Sequence, residues 1–263
     1  MSAAGRTIRR LVGVGGFRLA VECAGHGTPA IVLEAGGMAT SAAWDRVWPA
    51  IAGISQACRY DRAGLGNSDR SPHPRTVRQT VSELHALLAH TAIPPPYLLV
   101  GHSFGVQIVR VFAGTYPDEV AGLVFVDGAH EDLFRHMEPY LTEEGKAAFI
   151  ASWDAIPNHP EDLSYARLPE IEDGVRTIGR QLPDVPLIVL GSGNAEAWQA
   201  IAPDWWPVHH FMPVSLALHR DLATLSSRGR LIVAERSGHA IQDDEPELVV
   251  DAVREVIQLA RSG

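Results

Sequence analysis

Gly101-His102-Ser103-Phe104-Gly105 sets a hydroxyl between two glycines, directly after the apolar run at 97–100. Val106, Val109, Val111 and Phe112 follow at helical spacing, and Pro117 closes that helix. A G-x-S-x-G turn between a buried strand and a helix is a nucleophile elbow. Its glycines permit a turn too tight for a neighbouring side chain, and the serine is held exposed for attack on a carbonyl. The five-residue pattern recurs by chance; its place between strand and helix is what makes it specific. His239 stands behind Gly238, on a loop after the apolar run at 231–234. Ligands and catalytic groups gather at the carboxyl edge of parallel strands. An imidazole, with an ordinary pKa of ~6.5, can take and return a proton near neutrality. The adjacent His209 and His210 point apart on a helix, which argues against a metal pair.

These residues need a scaffold, and short apolar runs alternating with helical patterns supply one. Runs at 9–14 and 17–23, joined at Gly15-Gly16, predict a hairpin. Six more strands are predicted at 30–34, 56–60, 97–101, 123–127, 187–191 and 231–234. Continuous runs such as Leu98-Leu99-Val100 suit strands buried on both faces. Val77, Val81, Leu84, Leu87 and Leu88 keep helical spacing, as do Leu248, Val249, Ala252, Val253, Val256, Ile257 and Ala260 after Pro246. The fold class predicted is α/β, with a mostly parallel eight-stranded sheet flanked by helices. Residues 128–185 carry no strand signal, only short helical pieces separated by Pro139, Pro157, Pro160 and Pro169. An interruption of that length predicts an inserted helical cap on a core made of 1–127 and 186–263. Phe134, Tyr140, Phe149, Trp153 and Tyr165 are its candidates for roofing an apolar pocket, with Trp198, Trp205 and Trp206 beside it.

With the elbow and Ser237-Gly238-His239 in place, the chain resembles the α/β-hydrolase superfamily along nearly its whole length. Tyr60-Asp61-Arg62-Ala63-Gly64-Leu65-Gly66-Asn67-Ser68-Asp69 is similar to that family's D-R-x-G-x-G-x-S loop, a structural segment, so Asp61 and Ser68 are not expected to be catalytic. The resemblance implies the chain order serine, acid, histidine. The family's commonest site for the acid, after the strand at 187–191, reads Gly191-Ser192-Gly193-Asn194-Ala195-Glu196, with asparagine where aspartate is usual. Some branches place the acid one strand earlier, and Val126-Asp127-Gly128 fits them. A carboxylate ending an apolar strand needs a partner, which an imidazolium would provide. Asp127 is therefore the first candidate and Glu196 the alternative. The resemblance also implies oxyanion donors from backbone N–H groups, one at Phe104 and one in Leu33-Glu34-Ala35-Gly36-Gly37-Met38. Counting back from Trp44 places the second at Gly37, with Met38 as the alternative.

The implied activity is hydrolysis of a small-to-medium apolar carboxylic ester or lactone through an acyl-enzyme, with no cofactor and no metal. Carbon–carbon hydrolysis, thioester hydrolysis, cofactor-free perhydrolysis and ligand reception without turnover use the same residues. Serine at the elbow argues against the dehalogenase and epoxide-hydrolase branches, which attack through a carboxylate. Composition agrees: 46% of residues are hydrophobic and 20% charged, enough for one large domain. A net charge of −9 without a basic cluster argues against nucleic acid or an anionic membrane as partner. A monomer or homodimer acting on a small molecule is expected. Cys23 and Cys58 are read as buried reduced thiols in strands. With no apolar run of signal or membrane-span length, a cytoplasmic location is expected.

Overall fold

The computed structural model describes residues 7–154, 160–161, 163 and 168–262, excepting the side chains of 153 and 168–171. Eight strands form one sheet: β1 (Ile8–Gly13), β2 (Arg18–Ala24), β3 (Ala30–Glu34), β4 (Ala57–Tyr60), β5 (Tyr97–His102), β6 (Val120–Val126), β7 (Leu187–Ser192) and β8 (Gly229–Ala234). Their spatial order is β1-β2-β4-β3-β5-β6-β7-β8, with β2 antiparallel to both neighbours and every pair from β4 onward parallel. The predicted α/β architecture is thus the one observed. The β1–β2 hairpin turns through Gly15 and Gly16, both at positive φ.

The central strands explain why the sheet is sandwiched. Side chains alternate across a pleat, so Leu99, Leu123 and Phe125 enter one apolar layer while Leu98, Val100, Val124 and Val126 enter the other. The first layer is covered by α2 (Val77–Thr91), α3 (Phe104–Thr115) and α8 (Val208–Ala223). The second is covered by α1 (Trp48–Ala52) and α10 (Pro246–Ser262). Helix α2 starts where the Thr76 side chain accepts the Gln79 N–H, a standard N-cap. Pro246 opens α10, where its missing N–H costs nothing.

Between β6 and β7 the described residues form α4 (Leu133–Met137), α5 (Glu143–Asp154) and α6 (Leu168–Thr177) and add no strand to the sheet. Two further helices, α7 (Ala195–Ile201) and α9 (Ile241–Asp244), follow β7 and β8. Between β7 and β8 the sequence reading set His209 and His210 on a helix without giving its bounds, in a stretch that holds Pro203, Pro207 and Pro213. Helix α8 nevertheless carries Pro213 in its interior, with Val208, Phe211, Ser215, Leu218, His219 and Leu222 buried on one side.

One expectation is corrected. Cys23 and Cys58 are not free thiols but a disulfide, with Cα atoms 4.2 Å apart. They face each other in the antiparallel β2–β4 register, which brings together residues 35 apart in sequence. The cysteines therefore no longer support a reducing compartment. Among the described residues no helix is long and apolar enough to cross a membrane.

Candidate active site

Ser103 occupies the joint between β5 and α3 at φ 52° and ψ −120°, a backbone conformation rare for a residue with a side chain. The flanking glycines make the turn possible. A Cβ at Gly101 would stand 2.8 Å from the Gly105 carbonyl, and one at Gly105 would stand 2.5 Å from the Glu34 carbonyl oxygen. Although Ser103 precedes α3 directly, its side chain makes no capping hydrogen bond, so the hydroxyl is not consumed by the helix end.

Asp127 follows the last residue of β6, also in the left-handed region at φ 42°. Its Oδ2 accepts from His239 Nδ1 at 2.7 Å, and its Oδ1 accepts the Ser192 backbone N–H at 2.9 Å. Burial alone would push the Asp127 carboxyl up. The hydrogen bond and charge of His239, the nearby His219 and the Ser192 N–H outweigh it, and the carboxyl falls below its ordinary range. An ionised carboxylate only accepts, so Nδ1 of His239 carries the proton and Nε2 keeps its lone pair. His102 secures the loop from below, its Nε2 donating to the His239 carbonyl at 3.0 Å. Burial, helped by the nearby His239, lowers His102 to about 4, so it remains neutral.

The loop after β3 lies against the elbow. A Cβ at Gly36 would be 3.3 Å from Ser103 Cβ, and one at Gly37 would be 3.5 Å from Phe104 Cβ. Gly37, one of the two expected N–H donors, thus lies beside Phe104, the other. The Met38 N–H, the alternative, already donates to the Glu161 carboxylate. Arg62, Glu34 and Tyr60 form a buried cluster behind this loop. Asp61 and Ser68 hold their own loop: Asp61 accepts from Ser41 and from the Asn67 N–H, and Ser68 bonds the Asp61 carbonyl.

A cavity of about 430 Å³ opens over Ser103, Asp127 and His239. Its walls are Phe149 from α5, Trp198 from α7, Trp205, Trp206, and Phe211 and Leu218 from α8. The Trp198 ring lies 5.2 Å from the His239 ring and 4.5 Å from Phe211, and its Nε1–H donates to Ser192 Oγ. A second cleft of about 740 Å³ lies beyond His130, but its lining does not include Ser103. Its arginines are engaged by acids: Arg135 and Arg176 by Asp132, and Arg180 by Asp221.

Sequence reasoning and structure differ at several positions. Glu196, the alternative acid, is exposed in the first turn of α7, and no described bond joins it to His239. Asn194 accepts the Ala197 N–H and donates to the Arg236 carbonyl, so it caps α7. Tyr140 stacks on His210 and lines the other cleft. Phe134 stacks on Phe149 without lining the Ser103 cavity. Tyr165 and the Trp153 side chain lie outside the described residues. His219 was missed: it is buried on α8 with Nε2 donating to the Gly128 carbonyl and lying 3.8 Å from Asp127 Oδ1. Its one sequence signal is a histidine within the apolar stripe of a helix interrupted by proline.

Comparison with known proteins bears on the fold. The model for the alpha/beta hydrolase fold matches residues 29–153. The uncharacterized protein YqjL of Bacillus subtilis (strain 168) is 30% identical over 226 residues, 86% of this chain and 82% of that protein. An esterase of Mycobacterium tuberculosis (strain ATCC 25618 / H37Rv) is 26% identical over 254 residues, 89% of this chain and 84% of its own. Among solved structures, a serine hydrolase involved in carbazole degradation aligns with a TM-score of 0.62 at 18% identity, over 97% of this chain and 100% of that one. Kinship of this extent, on a sheet of this order with its elbow at the end of β5, means that the chain belongs to the α/β-hydrolase fold family.

Proposed function

We propose that the protein is a serine hydrolase that cleaves a small-to-medium apolar ester or lactone through an acyl-enzyme. The observation that carries this reading is the 2.7 Å bond from His239 Nδ1 to Asp127, at the floor of the cavity that also exposes Ser103. That bond leaves Nε2 of His239 as the free base. In the proposed first step, Nε2 takes the Ser103 proton as Oγ bonds to the substrate carbonyl carbon. Gly37 and Phe104 N–H groups receive the negative charge that develops on the carbonyl oxygen. The protonated imidazole, stabilised by Asp127, then returns its proton to the leaving alcohol as the acyl–oxygen bond breaks. Water repeats the sequence against the acyl-enzyme, losing its proton to His239 and releasing the acid and Ser103.

The substrate class rests on the walls. Five aromatic side chains surround a volume within the usual range for small-molecule sites, ~300–1,000 Å³. An apolar acyl or alkoxy group would be desolvated there, while the polar atoms lie at the floor. Residues 128–185 act in this reading as the cap over a core of 1–127 and 186–263, with Phe149 as a contributor to the roof.

The test is covalent. A fluorophosphonate should label the protein at Ser103 alone, and Ser103→Ala should lose label and p-nitrophenyl ester turnover together. Its Tm should stay level or rise slightly, because alanine keeps the same turn and removes a hydroxyl that makes no capping bond to α3. Labelling at another residue, or turnover kept by the alanine variant, would refute the assignment. Tight ligand binding with negligible turnover in the wild type would favour a receptor.

A further inference from the structure

The buried ion cluster behind the oxyanion loop is not used by the chemistry above, yet it converges on that loop. Arg62 is 2% exposed and directs its guanidinium into the turn after β3. Its Nη1 donates to Glu34 Oε1 at 2.6 Å and to the Ala35 carbonyl at 2.7 Å, its Nη2 donates to the Gly36 carbonyl, and its Nε donates to Glu161. Glu161 comes from the long insertion, 99 residues from Arg62 in sequence, and its second oxygen accepts the Met38 N–H. One carboxylate thus bridges the guanidinium and the backbone immediately after Gly37.

A second set of contacts points the same way. Leu163 packs so closely that a Cβ at Gly37 would be 3.1 Å from its Cδ1. Pro160 sits over Gly64, where a Cβ would meet Pro160 Cβ at 2.4 Å. Pro160, Glu161 and Leu163 therefore seat on both glycine loops at once. Met38 itself is at φ 62°, a conformation with an intrinsic cost that surrounding bonds must offset.

Resting on the hydrolase reading, we propose that Glu161 and Arg62 are positioning residues for the oxyanion hole. They hold the 35–38 backbone in the turn that aims the Gly37 N–H at the nascent oxyanion. Arg62 anchors the two carbonyls before that N–H, and Glu161 ties down the amide after it. Because Glu161 belongs to the insertion, docking of Pro160, Glu161 and Leu163 on the two glycine loops completes the oxyanion hole. An N–H donor must be fixed before the charge appears, since reorganising it during the reaction would forfeit its value.

The test uses the full-length protein, Glu161→Ala and Glu161→Gln, with p-nitrophenyl butyrate as substrate and amide exchange measured at Met38. Losing a whole oxyanion donor costs ~10²–10³ in kcat; a misaimed one should cost about 10- to 100-fold in Glu161→Ala. KM should stay within about threefold, the pattern of an interaction felt in the transition state. Exchange at Met38 should quicken at least tenfold. Glu161→Gln keeps a carbonyl acceptor for that N–H and should recover most of the protection and more than half of the lost activation free energy. A raised KM with unchanged kcat would mean that the segment only shapes binding, and the proposal would fail. Unchanged exchange at Met38 in an active Glu161→Ala enzyme would overturn it too. Absence of both phosphonate labelling and turnover in the wild type would instead defeat the hydrolase reading, and Met38 exchange would still decide whether Glu161 moors the loop.

Discussion

Asp127 has two bonds that fix its direction: the Ser192 N–H holds one oxygen, and the other receives the His239 Nδ1 proton. Replacing it with asparagine keeps the shape but lets the amide donate to Nδ1, which moves the imidazole proton to Nε2. Asp127→Asn should then lower kcat on the order of 10⁴-fold, as loss of the orienting acid does in other triads. Glu196→Gln alters an exposed side chain at the start of α7 and should cost less than about tenfold. Steady-state kinetics on one p-nitrophenyl ester compare the two, with circular dichroism confirming the fold. A larger loss in Glu196→Gln would return the acid to the loop after β7.

At the scale of the element, the β5–α3 joint works because backbone occupies the space where side chains would be. Gly105 passes so close to β3 that a Cβ would fall 2.5 Å from the Glu34 carbonyl oxygen and 2.6 Å from that of Ala35. Gly105→Ala must push α3 away from β3, at a cost of ~1–3 kcal/mol or more by comparison with other overpacked sites. For a chain of this size the Tm should fall by about 2–4 °C per kcal/mol. The same displacement moves the Phe104 N–H, so kcat should fall alongside stability. Thermal melts and kinetics of the one variant check both; an unchanged melting temperature would mean that β3 and α3 are not packed as described.

At the scale of the whole molecule, buried neutral histidines set the acid limit of stability. Burial is the chief cause that lowers His102, His130 and His219, with His102 at about 4 against an ordinary 6.5. The His239 ring lowers His102 further, while the hydrogen bond to the His239 carbonyl and the charge of Asp127 partly oppose. The unfolded chain takes up a proton as pH drops through about 6.5, while folded His102 resists until about 4. Stability from this residue is therefore complete above pH 6.5 and lost progressively down to 4. At ~1.4 kcal/mol per unit, that loss is roughly 2–3 kcal/mol by pH 4.5. Unfolding free energies from urea titrations at pH 7 and 4.5 should differ less in His102→Asn than in wild type, by about this amount. An equal difference in both proteins would show that His102 does not carry it. The lowered carboxyl of Asp127 acts in a more acidic window, below about 3.8, where its stabilising contribution disappears as it protonates.

The sequence alone determined what depends on neighbours along the chain. Short apolar runs and helical spacing located all eight strands and the helices α2, α3 and α10, and the sterics of glycine marked Ser103 as an elbow residue. The loop that carries His239 was legible for the same reason, as a glycine after an apolar strand. Only the tertiary structure joins His239 to Asp127 and not to Glu196, because that contact depends on β6, β7 and β8 lying side by side with their carboxyl ends level. His239 and Asp127 are 112 residues apart, and nothing in either segment alone encodes the 2.7 Å between them. Strand order likewise paired Cys23 with Cys58 across β2 and β4, where spacing in sequence had suggested independent thiols. Glu161 occupied the Met38 N–H through a contact between the insertion and β3's loop, two segments far apart in the chain. Local patterns select elements because sterics act over a few residues; sites arise where distant elements meet, and that meeting is set by how the two apolar layers pack against one sheet.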